Sequence, residues 1–228
     1  MKKIAISQSN YIPWKGYFDM IAAVDEFILY DEMQFTKNDW RNRNKIKTPK
    51  GTEWISIPVG QDINRTIREV VVPAQHWQRK HWAKFECNYR KAAHYEEIAQ
   101  ILAPAYEQSF ENLSALNRYF IELVCNYLGI KTKISNSWDY ELNGCRNERI
   151  INLCIQAGAS EYVSGPAARC YIDPELFNNK NITLTWFNYD YYPPYQQLWG
   201  DFIGSVSIID LLFNCGEDSK NYMRYVSQ

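Results

Sequence analysis

The chain has 228 residues, of which 46% are hydrophobic and 22% charged, with 25 basic and 26 acidic side chains and a formal net charge of −1. This composition supports a sizeable core and excludes a disordered chain. The even charge balance argues against a protein that coats nucleic acid or an anionic membrane, because either partner favours a basic surface.

The cysteines and the hydropathy indicate a cytoplasmic protein. The six cysteines form no Cys-x-x-Cys pair, which favours free thiols in a reducing compartment. The apolar run after Met1 is too short for a signal peptide, and no window approaches the roughly 18 consecutive apolar residues of a membrane span. We therefore expect a soluble protein of the cytoplasm without a membrane span.

Aromatic residues make up 15% of the chain, with 17 Tyr and 8 Trp. Both residues combine an apolar ring with a polar tip, so this excess favours pocket walls that stack on a ring-shaped ligand. A tryptophan-rich core accounts for any single aromatic residue equally well.

The first third of the chain has the pattern of a parallel α/β fold. Residues 3–8 predict a buried strand, 17–24 a short helix and 26–30 a second strand. A polar loop lies between the first strand and the helix, so this order is that of a βαβ unit. Residues 53–59 and 67–72 predict two further short strands.

The middle of the chain predicts helices, after which strands and helices alternate again. Residues 75–90 and 112–128 predict helices, and Gly129 ends the second. The later predicted elements are a strand over 131–135, a helix over 145–157, a strand over 161–164, a strand over 182–187 and a helix over 207–214. We therefore predict an α/β fold in one domain over residues 1–228. Its parallel-sheet, nucleotide-binding-like core is flanked by helices, and residues 75–128 form a helical insertion or cap.

The loop after the first predicted strand is the first candidate site. Ligands of open α/β sheets bind at the carboxyl ends of the strands, where this loop lies. Gln8 and Asn10 are candidates to hydrogen-bond sugar or ribose hydroxyls. Tyr11, Trp14 and Tyr17 are candidates to stack on a base or sugar face. The alternative is a rigid Pro-Trp turn that packs on the core.

Residues 31–47, after the second predicted strand, form the second candidate site. Cations alternate there with amides and one tryptophan, a pattern that suits a small polyphosphate ligand. The candidate binding residues are Gln34, Lys37, Arg41, Arg43, Asn44 and Lys47. The alternatives are a solvated charged loop or, because of Trp40, a contact with single-stranded nucleic acid. The run is short and the rest of the chain is not basic, so we expect no nucleic-acid partner.

A third segment follows the strand over 161–164. There Ser164, Gly165 and Arg169 are candidates for an anion nest, and Tyr171 is a further candidate binding residue. Further along, Asp210 and Asn214 share one face of the last predicted helix. Because all three segments follow predicted strands, we expect them to meet in one cleft at the carboxyl ends of the sheet.

The candidate catalytic residues are Asp31, Asp210 and Lys37. Either carboxylate is suited to accept a proton or to bind Mg²⁺, and the lysine to neutralise phosphate charge. The alternative for Asp210 is a structural contact with a neighbouring group. His76 and His81 have no third ligand nearby, so we predict no metal site formed by protein ligands alone.

These segments resemble the WbqC-like family of bacterial surface-polysaccharide gene clusters, and the resemblance extends over essentially the whole chain. It rests on shared motif residues: Gln8, Asn10, Tyr11, Pro13, Trp14, Gly16, Gln34, Phe35, the run 40–47, Ser164, Gly165, Pro166, Tyr171 and the run 207–216. The family's usual opening is similar to His-Gln-Pro-Asn-Tyr, whereas this chain has serine at position 7. The resemblance implies a role in O-antigen or capsule assembly, with a glycyl-type acyl group attached to an amino sugar.

A fainter resemblance concerns the mechanism. The order of the segments at Trp14, Gln34 and Ser164 is similar to that of motifs in pantothenate synthetases, which activate a carboxylate with ATP and pass it to an amine. Their two signature histidines are replaced here by Trp14 and Tyr17. The resemblances imply an ATP- and Mg²⁺-dependent amide-forming enzyme whose partners are a nucleotide sugar and a small carboxylic acid. The alternatives are transfer from a thioester carrier, or a non-catalytic protein that binds the sugar nucleotide.

Overall fold

The structure, a computed structural model, describes residues 1–73 and 76–226. Within these residues the chain forms a five-stranded parallel sheet, a two-stranded antiparallel sheet and helices around them. The α/β fold with a parallel sheet predicted from the sequence is confirmed. The strands are β1 (Lys3–Ser7), β2 (Glu26–Leu29), β3 (Arg43–Thr48), β4 (Gly51–Ser56), β5 (Lys133–Asn136), β6 (Glu161–Ser164) and β7 (Thr183–Trp186). The α-helices are α1 (Lys15–Ala22), α2 (His76–Tyr89), α3 (Tyr95–Glu107), α4 (Leu113–Leu128), α5 (Arg146–Gln156), α6 (Pro174–Asn178) and α7 (Ile208–Cys215).

The parallel sheet has the strand order β5-β2-β1-β6-β7, with β1 at its centre. The chain first builds one half of the sheet outward from β1, and then crosses over to build the other half from β6. The strand order therefore reverses between β1 and β6. This reversal is the topological switch point, beside which open α/β sheets bind their ligands.

Helices cover both faces of the sheet, because its central strands are apolar on both sides. Ile4 and Ile28 belong to one buried cluster, while Ala5 and Phe27 belong to the other. These neighbours alternate because successive side chains of a strand point to opposite faces. All four residues are fully buried, as expected for a parallel sheet between two helical layers.

Two predictions for the segment between β2 and α2 are corrected by the structure. Residues 43–47 of the second candidate segment lie in strand β3, which pairs with β4, rather than in a loop. The strand predicted over 67–72 is wrong, because Ile67–Glu69 forms a 3₁₀ turn. Thr66 and Glu69 cap that turn through each other's backbone and side chains, with the Thr66 amide donating to Glu69 at 2.7 Å.

The middle of the chain is helical, as predicted, and it contains one helix, α3, that the sequence patterns did not separate. The predicted start of the first helix, Gln75, lies outside the described residues. Asn112 caps α4 by accepting a hydrogen bond from the Ala115 amide at 2.9 Å, and Gly129 ends the helix with φ 71°. Phe120 of α4 belongs to the same buried cluster as Phe27 of β2. The helical middle therefore shares the core on one face of the sheet.

Candidate functional site

The loop between β1 and α1 has an unusual backbone conformation at Ile12. This residue has φ 35°, in the left-handed region that β-branched side chains rarely adopt. Two side chains hold its carbonyl oxygen: Asn44 donates to it at 2.8 Å and Ser207 at 2.7 Å. Because such strained residues persist only where their surroundings over-determine them, and cluster at ligand sites, the loop marks a candidate site.

A cavity of about 260 Å³ opens beside this loop. Its lining residues are Asn10, Pro13, Trp14, Trp40, Asn44 and Ser205. The two indole rings supply apolar walls, and the amide and hydroxyl groups supply hydrogen-bonding atoms. We call this cavity the indole pocket. Its composition fits a ring with an apolar face and polar substituents.

Gly16 allows Trp14 to adopt its position at the pocket wall. A Cβ atom at residue 16 would lie 2.4 Å from the Trp14 ring, far inside van der Waals contact. The other neighbours of this indole are Tyr189, with ring centroids 5.2 Å apart, and Tyr192, at 5.8 Å. Gly16, in the first candidate site, therefore leaves the space that the Trp14 indole occupies.

Arg41 connects the first two candidate segments. Its terminal nitrogens donate to the side-chain oxygens of Gln8 and Asn10, and Asp39 lies 3.8 Å from the guanidinium. Its Nε atom is buried and has no hydrogen-bond partner among the described residues. Asn10 and Arg41 therefore present a fixed cation and amide beside the pocket, with one donor unused.

The outer face of the hairpin carries a second group of aromatic and cationic residues. Trp40 and Trp54 have ring centroids 5.2 Å apart, and both side chains are exposed, by 41% and 37%. The Arg43 guanidinium lies 4.1 Å from the Trp54 ring centre and the Lys45 ammonium 4.9 Å from it. We call these four residues the hairpin cluster. Trp40 belongs to both the cluster and the indole pocket, so the two are contiguous.

Lys15 is a potential functional residue that the sequence predictions did not select. It is only 4% exposed, and its ammonium group donates to the Pro193 carbonyl at 3.1 Å. The rings of Tyr192 and Tyr195 lie 5.0 and 5.3 Å from this group. Burial lowers the pKa of Lys15 from 10.5 to about 8, against an opposing effect of the nearby Asp19. Its position between Trp14 and Gly16 in a polar loop was the available signal.

The two candidate catalytic carboxylates are buried and bonded to protein donors through both oxygens. Asp31 accepts from the Ser9 amide at 2.8 Å and from the Ser114 hydroxyl. Burial raises its pKa, although these hydrogen bonds and the nearby Arg41 lower it in part. Asp31 therefore fixes the backbone between Gln8 and Asn10.

Asp210 lies in a similar buried network. It accepts hydrogen bonds from Tyr89 at 2.9 Å, Tyr195 at 2.8 Å and Gln197 at 2.6 Å. Burial raises its pKa, and the hydrogen bonds from these groups lower it in part. Asn214 donates to the Asp210 carbonyl at 2.7 Å, which is a contact within α7.

Three predicted binding residues of the first two segments contact protein atoms in the interior. Tyr11 is fully buried, with its hydroxyl 2.9 Å from His81 Nδ1 and 2.7 Å from the Tyr106 hydroxyl. Tyr17 donates to the Gln8 carbonyl at 3.0 Å and its ring packs against Phe27. Lys47 is also buried. Its ammonium group donates to Gln197 at 2.6 Å.

Two further candidate residues of the second segment, Gln34 and Lys37, are exposed. Gln34 donates to the Ile63 carbonyl at 3.0 Å, and Lys37 lies on the surface of the loop before Trp40.

The third candidate segment does not bring its side chains into the indole pocket. Ser164 is buried and lies two residues after Tyr162 in β6, so its side chain is on the face of the sheet whose buried cluster contains Tyr162. The Arg169 guanidinium stacks over Trp186 at 5.3 Å, and Tyr171 is exposed. The structure therefore brings two of the three segments together. The third faces the opposite helical layer because strand β6 alternates its side chains between the two faces.

The described residues contain neither a cluster of metal ligands nor a helix that could span a membrane. In residues 1–73 and 76–226 no three His, Cys, Asp or Glu side chains are grouped closely enough to hold a metal ion. In the same ranges no helix has the length and apolar character needed to cross a membrane.

Fold and site together define a doubly wound α/β protein with an aromatic and amide-lined pocket next to the carboxyl end of its central strand. Comparison with known families gives the assignment: the chain belongs to the WbqC-like protein family, whose model matches residues 8–222. It is 55% identical over 231 residues, covering 100% of both chains, to Rv1507c, an uncharacterized protein of Mycobacterium tuberculosis (strain ATCC 25618 / H37Rv). No solved structure matches the chain at a significant level.

Proposed function

We propose that this protein is an amide-forming enzyme that transfers an activated, glycyl-type acyl group to the amine of a nucleotide-linked amino sugar. The proposal places the reaction in O-antigen or capsule biosynthesis, with ATP as the activating nucleotide. Membership of the WbqC-like family supports the biosynthetic setting, and the chemistry of the indole pocket supports the class of ligand.

The indole pocket is the observation that carries the proposal. A sugar ring has an apolar face that packs on an indole and hydroxyl groups that bind amides, and Trp14 and Asn10 supply these two partners. The volume of about 260 Å³ lies below the range of roughly 300–1,000 Å³ that is typical of sites for larger ligands. The pocket is therefore suited to one ring, and the rest of a sugar nucleotide extends over its rim.

Cations at the rim favour an anionic ligand. Arg41 retains an unused buried donor, and exposed Lys37 precedes it in the same loop. The Arg41 side chain as a whole is 16% exposed, so a phosphate oxygen at the rim can gain a charge-assisted interaction with its guanidinium group. In the proposal these two residues neutralise phosphate charge while the pocket holds the sugar.

The proposed reaction has two balanced steps. A carboxylate oxygen of the acyl donor attacks the α-phosphorus of ATP, which forms an acyl adenylate and releases pyrophosphate. The amine of the sugar then attacks the acyl carbon, AMP leaves, and the proton of the amine is released to water. In this proposal the protein accelerates the second step mainly by holding the amine close to the acyl carbon.

Asp31 and Asp210 have positioning roles in this proposal. Their oxygens are bonded to protein donors, so they do not form a Mg²⁺ site of their own. Mg²⁺ is proposed only as the counter-ion that ATP carries. Asp31 fixes the Ser9 amide between two ligand-binding side chains, and Asp210 orders the network that packs behind the hairpin.

Incubation of the protein with ATP, glycine and a dTDP-4-amino sugar tests the proposal. We expect AMP release that depends on all three, together with an acylated sugar nucleotide detected by mass spectrometry. Asn10→Ala, which removes a pocket amide, should reduce turnover. The matched control Asn178→Ala, which alters an exposed amide of α6, should not.

Three other outcomes contradict the proposal in different ways. Acylation that requires a thioester carrier and releases no AMP indicates an acyltransferase. Binding of the sugar nucleotide without turnover under either condition indicates a binding protein of the assembly pathway. If the protein binds neither the sugar nucleotide nor ATP, the indole pocket is not a site for either ligand.

A further inference from the structure

The hairpin cluster combines exposed rings with cations that lack a carboxylate partner. Asp39 lies 3.8 Å from Arg41, and Glu53 pairs with Lys84 at 2.6 Å. Within the described part of the chain this leaves Arg43 and Lys45 without a carboxylate at salt-bridge distance. Positive charge is therefore concentrated around Trp54.

The hairpin itself fixes the geometry of the cluster. Lys45 is directly opposite Trp54 in the antiparallel register, and Arg43 is opposite Ser56, one pair further along the same face. Cross-strand neighbours of this kind are within side-chain contact. The Nε atom of Arg43 is buried and without a hydrogen-bond partner among the described residues. Because the Nε atom is buried, the terminal nitrogens of Arg43 are the donors that remain for a phosphate.

We propose that the hairpin cluster is a subsite for a nucleoside diphosphate, in which the tryptophans stack on the base and the two cations hold the phosphates. Nucleobases stack on aromatic rings, and phosphates bind arginine through charge-assisted hydrogen bonds. The cluster therefore offers rings for the base and cations for the phosphates, close enough together for one nucleotide to contact both. It adjoins the indole pocket through Trp40, so a sugar attached to the diphosphate would point toward that pocket.

The charge of the whole chain favours a single nucleotide over a nucleic acid. The formal net charge is −1, and the cluster contributes two cations without salt-bridged partners. Tight binding of nucleic acid depends on many phosphate contacts that release counter-ions, whereas a diphosphate needs few. The subsite rests on the proposed function for the identity of the attached sugar, but nucleotide binding itself is measured without turnover.

Calorimetric titration of the intact protein with dTDP, thymidine and pyrophosphate tests the subsite. We expect Trp54→Ala to raise the dissociation constant of dTDP about 10-fold, since stacking on one ring contributes this order of affinity. Trp54→Phe keeps a ring and should restore most of the loss. Arg43→Ala should weaken dTDP and pyrophosphate about 10-fold and thymidine little.

A second stacked pair in the same chain provides the matched control. The Arg68 guanidinium lies 4.4 Å from the Trp138 ring centre, outside the hairpin, and Arg68 has a carboxylate neighbour in Glu32 at 3.9 Å. Trp138→Ala and Arg68→Ala should leave the dTDP dissociation constant unchanged. Circular dichroism on every variant separates lost binding from lost folding, and Trp54→Phe keeps the test decisive if Trp54→Ala unfolds.

Equal dTDP affinity in the wild type, Trp54→Phe and Arg43→Ala would overturn the subsite. So would tighter, salt-steep binding of a single-stranded oligonucleotide than of dTDP, which would make this face a nucleic-acid interface. If the wild-type protein releases AMP in the amide-forming assay but does not bind dTDP, the subsite is removed and the proposed function remains. If the protein binds dTDP but forms no amide under any condition, the proposed function fails and the subsite remains.

Discussion

Arg41 lies where two predicted segments meet, and its neighbours hold it in one orientation. Gln8 and Asn10 accept hydrogen bonds from its terminal nitrogens, while its Nε atom has no partner among the described residues. An arginine fixed in this way loses little side-chain entropy when a ligand binds, so each new hydrogen bond contributes more to affinity.

Replacing Arg41 with alanine should weaken binding of a dTDP-linked sugar by about 1.5–3 kcal/mol, because a charge-assisted hydrogen bond is lost. Arg41→Lys should restore only part of this, since an ammonium group lacks the planar fork of donors. Titration calorimetry measures the effect. The control is Arg118→Ala, which breaks an i,i+4 pair with Glu122 on α4. If Arg41→Ala unfolds the protein, the arginine is structural and the phosphate assignment fails.

At the scale of elements, the loop before α1 is fixed by residues from two distant parts of the chain. The Ile12 carbonyl accepts from Asn44 on the hairpin and from Ser207, which also caps α7. The backbone strain at Ile12 is therefore balanced by tertiary hydrogen bonds rather than by the loop itself. These bonds set the position of the pocket wall formed by Pro13 and Trp14.

Asn44→Ala should lower the free energy of unfolding by about 2 kcal/mol, because the buried carbonyls of Tyr11 and Ile12 each lose a donor. Asn42→Ala is the matched control, since its amide makes one bond, to the Ile57 carbonyl at 2.9 Å. It should cost less, about 1 kcal/mol. Chemical denaturation measures both variants. Equal losses would mean that the loop does not depend on Asn44.

Elements with strong local signals were predictable, and those fixed by long-range contacts were not. Strands β1 and β6 are short apolar runs followed by polar turns, and their positions follow from the sequence. Strand β3 was predicted as a loop because Arg43 and Lys47 suggest a solvated segment. The buried ammonium group of Lys47 finds its partner, Gln197, far along the chain.

The same distinction applies to the candidate site. Asn10 and Trp14 line the pocket and were selected from the loop sequence alone. Trp54 joins the hairpin cluster only through strand pairing, so no local pattern indicates it. The position of Ser164 on the opposite face follows from strand alternation, which a stricter use of the two-residue period would have predicted.

At the scale of the whole molecule, the amino ends of the parallel strands are held together by a buried carboxylate. Glu26 accepts from Lys2 at 2.7 Å, Lys133 at 2.9 Å and Ser135 at 2.6 Å, and also from Tyr140. Burial opposes ionisation, but these hydrogen bonds prevail and lower the pKa of Glu26 from 4.5 to about 2.

The stability that Glu26 contributes should be present above pH 4.5 and lost progressively as the pH falls from 4.5 toward 2. The sign follows because the unfolded chain binds the proton first, so acidification favours unfolding. Glu26→Gln should remove this part of the acid dependence. Urea unfolding of both proteins between pH 6 and 3 checks it, and parallel curves would contradict the prediction. Glu107→Gln, at an exposed position of α3, serves as the control.

The central position of β1 has a consequence for how the chain acquires its fold. Lys3 pairs with Glu161, so the first strand completes its hydrogen bonds only after most of the polypeptide has been synthesised. Until then β1 and β2 can pair with each other, but β1 presents an open edge at what becomes the middle of the sheet. Pairings between such distant segments form slowly and leave apolar strands exposed in the meantime. Nascent chains that end before β6 should therefore be aggregation-prone, and the docking of β6 against the strand that was made first should be a late step of folding that precedes the pairing of β7.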